Sequence, residues 1–319
     1  MLPSLVEMTR APHVSAHAAT FRRRRFARTS GRDALGTAVL FAPGFVVYLA
    51  FMILPILLSL YFSFFDWDGI RANMNFVGVK NFVRAVQDRH FLNALRITFF
   101  FTIPGALLGN LLGLLFAVLV NRPGPMVNVY RSAFFFPLLI SAVAVGFIWK
   151  ALLSYHGILS GLFATLGMEP IDWLGDPRLA PWSVLMVNVW RDTGFVTVIY
   201  LAGLQAVPGD LYDAATIDGA SAWQRFATVT FPWLAPALTA NVVFLFTGYM
   251  RIYDMVVVLT SGGPAGATDT IALQIIRVGF QQNRMSYGSS LAIYMLLIVG
   301  VLSVSLVLLL RRREEKLVM

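Results

Sequence analysis

From Ala34 to Phe65 the chain carries no charged residue. About 20 predominantly apolar residues are enough for a helix to cross the hydrocarbon core of a bilayer, so a run of this length commits the chain to a membrane. Backbone N–H and C=O groups find no water there, and a helix pairs them internally. The pattern recurs between Arg96 and Arg122, then from about Arg131 to Leu153, Ala180 to Leu204, Ala237 to Thr260 and Met285 to Leu310. Only 13% of the 319 residues are charged and 58% are hydrophobic, whereas soluble domains hold about 25% and about 45–50%. The expectation is an all-α integral membrane protein of six transmembrane helices. Pro43 or Pro55 is the kink site of the first, and Pro104 and Pro137 lie inside the next two.

Six spans place both termini on one side. The tails and loops of that side collect 14 Lys and Arg against 7 on the other, and the positive-inside rule puts the richer side in the cytoplasm. The expected division is a basic, disordered cytoplasmic tail over residues 1–33, a transmembrane domain over 34–313 and a cytoplasmic C-terminal tail over 314–319. A net charge of +9 then reads as topology and contact with anionic lipid headgroups, not as affinity for nucleic acid. The chain has no cysteine, hence no disulfide and no thiolate metal site. Its four histidines are scattered, and no metal site is expected. Residues 66–93 read as a polar loop with a short helix and with Trp67 at the interface, and residues 154–179 as a second loop.

The segment Pro208 to Pro232 is polar yet patterned for helix. Asp210, after Pro208-Gly209, can accept from the N–H groups of a first turn, and Asp213 sits where a carboxylate suits the helix dipole; together they predict a start at about Leu211. Ser221 with Gln224 three residues on has capping-box spacing for a second helix. Gly219 costs about 1 kcal/mol in a helix interior, so Asp218-Gly219-Ala220 reads as a sharp turn between the two. Pro232 and Pro236 end or kink the second helix.

Arg191-Asp192 and the pair Arg251 and Asp254 fall inside the fourth and fifth spans. Each such charge costs about +2.5 to +3.5 kcal/mol at the centre of a membrane helix, so these groups should face the bundle interior or a water-filled cavity. Three residues apart, Arg251 and Asp254 are expected on one helical face and able to pair. Two readings stay open. With Asn188, Asn241 and Tyr249 the charges line a hydrophilic solute path, where Trp190 and Tyr253 could stack on sugar rings; or they pair between helices and the aromatics pack.

Asp213-Ala214-Ala215, Gly219, Val229 and Phe231-Pro232 resemble the "EAA" loop of permease subunits in binding-protein-dependent ABC importers. All spacings of that pattern are kept, with Asp for Glu at 213, Val for Ile at 229 and Phe for Leu at 231. Three further stretches resemble the carbohydrate-uptake branch, the maltose and glycerol-3-phosphate type: Phe76-Val77-Gly78-Val79-Lys80-Asn81-Phe82, Trp190-Arg191-Asp192-Thr193-Gly194-Phe195, and Tyr253-Asp254 followed by Leu259-Thr260-Ser261-Gly262-Gly263-Pro264.

The resemblance implies the type I importer permease fold and a multi-pass protein of the bacterial cytoplasmic membrane. It implies a non-catalytic subunit that lines half of a path for a sugar, oligosaccharide or glycerol phosphate. The implied partners are a second homologous permease, an ATPase dimer that carries ATP and magnesium, and an external solute-binding protein. Asp213, Ala214, Ala215, Asp218, Gly219, Ala220, Val229 and Pro232 would couple to the ATPase, and Gly262, Gly263 and Pro264 would meet the binding protein. This chain has no Gly-x-x-x-x-Gly-Lys-Ser/Thr phosphate loop, consistent with ATP being held elsewhere. The alternative is a stand-alone ion-coupled secondary transporter using Asp192 and Asp254, although ion coupling does not require the spacing within 208–232.

Overall fold

The computed structural model describes residues 31–121 and 127–318. Most of the basic tail, and Arg122 in the second loop, lie outside the described residues. The chain packs as two units that divide after Pro55. The first holds helix α1 (Gly31–Tyr48), with Pro43 inside it, and a π-helical turn at Leu49–Ile53. Pro55 has no N–H for the carbonyl four residues back and its ring crowds that carbonyl, so a widened turn just before it is the local response.

The second unit begins within α2 (Leu54–Ser63). The first span ends two residues before the expected Phe65, because Phe65–Asp66 (β1) pairs antiparallel with Asn75–Phe76 (β2). Asn81 fastens this corner: its buried side-chain amide donates to the Ser63 carbonyl at 3.0 Å and the Phe65 carbonyl at 2.7 Å. It stands at the start of α3 (Lys80–Gln87), the short helix foreseen in this loop. Helix α4 (Arg89–Val120) starts well before Arg96, since Asp88 caps it by accepting from the His90 N–H at 2.9 Å.

The third expected span is two helices. α5 (Val127–Leu139) ends two residues after Pro137, and Ser141 caps a new helix, α6 (Ala142–Leu153), by accepting from the Ala144 N–H at 3.2 Å. The expected loop over 154–179 contains a helix, α7 (Ile158–Thr165), followed by turns. Helix α8 (Ala180–Gln205) has the expected bounds to within a residue. Then come α9 (Gly209–Ile217), α10 (Ala222–Arg225), a π-helical turn at Phe226–Thr230 and α11 (Phe231–Trp233).

The fifth span is also broken. α12 (Ala235–Met250) stops at Arg251, and α13 (Asp254–Leu259) starts afresh. Helix α14 (Ile271–Ile276), a third π-helical turn at Arg277–Gln281 and α15 (Met285–Val318) complete the chain. The last expected span, about Met285 to Leu310, lies within α15, which continues through Arg311-Arg312-Arg313; these arginines mark where the apolar stretch ceases. Among the described residues five segments are long and apolar enough to cross a bilayer: Val39–Ser63, Arg89–Val120, Ala142–Thr165, Ala180–Gln205 and Met285–Glu314. The bent pair Ala222–Trp233 and Ala235–Met250 makes six.

The core of the second unit is built by α4, α8 and α12. Gly105, Gly109, Gly113 and Ala117 recur every four residues on one buried face of α4. A Cβ on Gly105 would stand 2.8 Å from the Tyr249 ring, one on Gly109 2.9 Å from Leu245, and one on Gly113 would collide with Val196. In lipid the apolar surface gives helices little reason to associate, so close backbone approach through small residues supplies the packing. Buried polar groups tie the same helices: the Tyr200 hydroxyl donates to Asn110 Oδ1 at 2.7 Å, and Asn241 Nδ2 to the Val196 carbonyl at 3.2 Å.

Candidate functional site

The 208–232 segment folds as an exposed helical hairpin. Its first helix starts at Gly209, not Leu211, and Asp210 lies in the first turn without capping it. At the other end the Ala220 N–H reaches the Ala215 carbonyl (2.9 Å) and the Gly219 N–H the Thr216 carbonyl (3.1 Å). With Gly219 at φ +74° this is a Schellman motif. The chain then turns into the capping box foreseen at Ser221: Gln224 N–H to Ser221 Oγ at 3.3 Å and Ser221 N–H to Gln224 Oε1 at 2.7 Å. Two side-chain bonds clasp the arms together, Tyr212 to Thr230 hydroxyl at 2.9 Å and Arg225 Nη1 to Thr216 Oγ1 at 2.9 Å. Pro232 and Pro236 flank Leu234, where the helix axis bends by 66° into α12.

Of the motif residues, Asp213, Ala214, Asp218 and Gly219 are exposed, while Ala215, Ala220, Val229 and Pro232 are half-buried. Sequence reasoning passed over two others. Ile217 is 87% exposed and Trp223 74% exposed, one on each arm. Their signal was their apolarity within a polar segment.

The intramembrane candidates divide. Asn188, Arg191 and Asp192 of α8, Tyr249 of α12, Arg251 and Tyr253 at the helix break and Asp254 at the start of α13 line one cavity of about 220 Å³. Arg191 Nε and the Tyr249 hydroxyl are buried in it without a protein partner. Trp190 and Asn241 lie elsewhere: Trp190 packs edge-on against Trp149 at 5.4 Å, and Asn241 is wholly buried between α8 and α12. The pairing of Arg251 with Asp254 does not form. The helix ends between them, Arg251 Nε donates to the Thr247 carbonyl at 3.1 Å, and among the described residues the ion pairs are Arg71–Asp68 and Arg277–Asp269.

The Ser261 to Ala267 turn is held from behind. Arg277 bonds Asp269 at 2.8 Å and the Ser261 carbonyl at 3.0 Å, and Gln274 donates to the same Asp269 oxygen. Burial pushes the Asp269 carboxyl above the usual carboxylate range, against the pull of Arg277 and the Gln274 bond. Gly262 is buried, since a Cβ there would meet Leu273 at 2.7 Å; Gly263 and Pro264, joined by a cis peptide, are half-buried. At the opposite end of α15, Leu310 and Arg313 share a small cleft with Phe231 and Ala235, so the hairpin and this turn lie at opposite ends of the helix bundle.

Residues 109–316 match the family of binding-protein-dependent transport system inner membrane components. The chain belongs to this family. This permease is 34% identical over 281 residues to the probable starch degradation products transport system permease protein AmyD of Thermoanaerobacterium thermosulfurigenes, covering 86% of this chain and 94% of that one. It is also 34% identical over 277 residues to the trehalose/maltose transport system permease protein MalF of Thermococcus litoralis, covering 86% and 93%. Its fold resembles a solved bacterial alginate ABC transporter in complex with alginate pentasaccharide-bound periplasmic protein: TM-score 0.78, 23% identity, 89% of this chain and 96% of that chain. The fold is that of a type I importer permease, and membership in a binding-protein-dependent family supports the importer over an ion-coupled secondary transporter.

Proposed function

We propose that this permease is one of two homologous membrane subunits of an ABC importer for a sugar, oligosaccharide or glycerol phosphate. Both termini and the 208–232 hairpin face the cytoplasm. The chain is non-catalytic; ATP and magnesium belong to a partner ATPase. The observation that carries the reading is the exposed helical hairpin itself, which leaves Asp213, Ala214 and Gly219 accessible and exposes one large apolar side chain on each arm, Ile217 and Trp223, a surface that a partner chain can cover. Asp213, Ala214, Ala215, Asp218, Gly219, Ala220, Val229 and Pro232 form and flank that surface.

The connectivity gives docking a mechanical consequence. Helix α8 runs into the hairpin's first arm, and the second arm runs through the Leu234 bend into α12. These two helices and the break after α12 line the polar cavity. Closure of an ATPase pair on the hairpin therefore moves both walls at once, and Asn188, Arg191, Asp192, Tyr249, Arg251, Tyr253 and Asp254 change separation around a passing solute. Trp190 and Asn241 act at one remove, by packing. Unpartnered polar atoms beside Tyr249, Tyr253 and Phe244 suit a hydroxyl-rich solute with apolar ring faces. Relatives named for starch products and for trehalose/maltose support the sugar class. On the outer side Gly263 and Pro264, backed by Gly262, meet the solute-binding protein.

The test is co-purification and reconstitution with the neighbouring ATPase and binding protein. Solute uptake that requires ATP and the binding protein supports the reading; uptake by this chain alone, driven by an ion gradient, rejects it.

A further inference from the structure

The short helix after the first span carries an uncovered apolar stripe. In α3 Asn81 and Ala85 are buried, whereas Val79 at the N-cap, Val83 and Val86 are 61%, 48% and 51% exposed. Steps of four and then three residues set the three valines on one side of the helix. Phe76, in the strand just before, is exposed as well. Side by side and not scattered, these residues form a contact surface.

What holds α3 also fixes its depth. The uncharged run Leu291–Leu310 within α15 has the length of about 20 residues that crosses the hydrocarbon, so Leu291 marks its outer edge. Tyr294 stands one turn inside that edge. Its hydroxyl donates to the Phe82 carbonyl at 3.2 Å, and its ring meets the Phe82 ring edge-on at 5.5 Å. Asn81 ties the same end of α3 to the Ser63 and Phe65 carbonyls, where α2 finishes. The other end runs into Asp88, which accepts from the hydroxyl of Tyr287, two turns or about 10 Å further out along α15. α3 therefore occupies the layer just outside the hydrocarbon, with its Val79 end the deeper.

The stripe continues the apolar surface of the first span. Tyr61, on the exposed side of α2, packs on Phe65 at 4.7 Å, and Phe65 packs on Phe76 at 5.4 Å. Aromatic rings thus lead from the span to the foot of α3. Lys80 is exposed beside the valines. Lysine is depleted at contacts between proteins, but at a bilayer surface its stem covers apolar area while its ammonium reaches a headgroup phosphate.

We infer that α3 is a lipid anchor: Phe76, Val79 and Val83 rest in the acyl–headgroup boundary of the outer leaflet, with Val86 at its edge and Lys80 toward the phosphates. The inference rests on the orientation proposed above, which puts residues 66–88 outside, and adds the partner of that loop. Because Asn81 also fastens the end of α2, the anchor sets the depth at which the first span leaves the bilayer.

The test uses the complete transporter, its other subunits free of cysteine, in nanodiscs of phosphatidylethanolamine and phosphatidylglycerol. Val79→Cys, Val83→Cys, Val86→Cys and, as a reference in the preceding loop, Ala72→Cys each carry one nitroxide. All four side chains are exposed, so assembly should be unaffected. Power saturation compares collisions with oxygen, which concentrates in lipid, and with a water-soluble nickel chelate. The oxygen-to-nickel ratio at Val79 is expected to exceed that at Ala72 by about five-fold or more, and to fall in the order Val79, Val83, Val86. A ratio equal to that of Ala72 at all three valines overturns the inference. So does exclusion of both reagents, which would make the second permease the cover, and so does nickel access lost only on adding solute-loaded binding protein, which would make that protein the occupant. Labelling of Ala72→Cys by an impermeant maleimide in inside-out but not right-side-out vesicles would instead defeat the orientation, whatever the valine profile.

Discussion

The Ala220 N–H donates to the Ala215 carbonyl at 2.9 Å, reaching back across Gly219, whose φ is +74°. A β-carbon at this backbone angle is strained, so Gly219→Ala should cost about 1 kcal/mol and loosen the turn. Gly219→Pro should do more, since proline fixes φ near −65° and removes the N–H that bonds Thr216. Both variants should reach the membrane in normal amounts, because a Cβ at 219 meets nothing within 4 Å. Solute-stimulated ATPase of the assembled transporter should fall to under about a tenth in Gly219→Pro and by about 5-fold in Gly219→Ala.

Ile217→Ser and Trp223→Ser test docking apart from folding. Exposed side chains contribute within about 0.5 kcal/mol to stability, whereas a buried aromatic or aliphatic anchor at an interface contributes about 2 kcal/mol or more. The thermal midpoint of the isolated permease should therefore stay put while ATPase recovered on affinity purification drops by more than about 10-fold.

The every-fourth-residue small face of α4 gives a stability prediction. Gly109→Leu or Gly113→Val should push α4 away from Leu245 or Val196, at about 1–3 kcal/mol for overpacking. Lower yield of folded protein in detergent and a lowered thermal midpoint would show it. Gly300→Ala, with open space around its Cβ, should be neutral.

Asn81→Ala leaves the Ser63 and Phe65 carbonyls without their donor. A buried unsatisfied acceptor costs about 1–3 kcal/mol, and protease access to the 66–79 loop should rise accordingly in limited proteolysis.

Asp88 supplies a pH dependence. Partial burial pushes its carboxyl up, but the Tyr287 hydroxyl and the His90 N–H together outweigh burial and hold it below the usual carboxylate range. A group depressed on folding stabilises above its unfolded pKa of about 3.9, and that contribution is lost as pH falls through the folded value. Wild type should thus lose thermal stability on acidification below about pH 4, and Asp88→Asn should show a shallower acid limb.

Where the chain states its own physics, the sequence reading carried over. The length of the apolar runs placed α8 within a residue, and Ser221 with Gln224 formed the capping box. Local signals failed where tertiary contacts decide. Asp88 caps α4 with no apolar periodicity to announce it, and the 250–254 break set Arg251 and Asp254 on different helices although their spacing suits one. Gly105, Gly109 and Gly113 stand four residues apart, a repeat the sequence reading passed over, and its meaning depends on Tyr249, Leu245 and Val196 opposite them. The Phe76 to Phe82 stretch carries only a family resemblance in sequence, and Gly262 reads there as a contact candidate; in the fold Asn81 fastens a corner and Gly262 packs behind Arg277. Ile217 and Trp223 lie between the motif's fixed positions, and their exposure follows only from how the two arms fold against each other.

The most direct measurement places a single cysteine at Ile217, in a chain that has none of its own, and treats inside-out vesicles with a membrane-impermeant maleimide. Rapid labelling of the permease alone, strong protection once the ATPase is bound, and no labelling in right-side-out vesicles would establish a cytoplasmic hairpin buried by its partner. Equal labelling with and without the ATPase, or labelling from the outside, would contradict it.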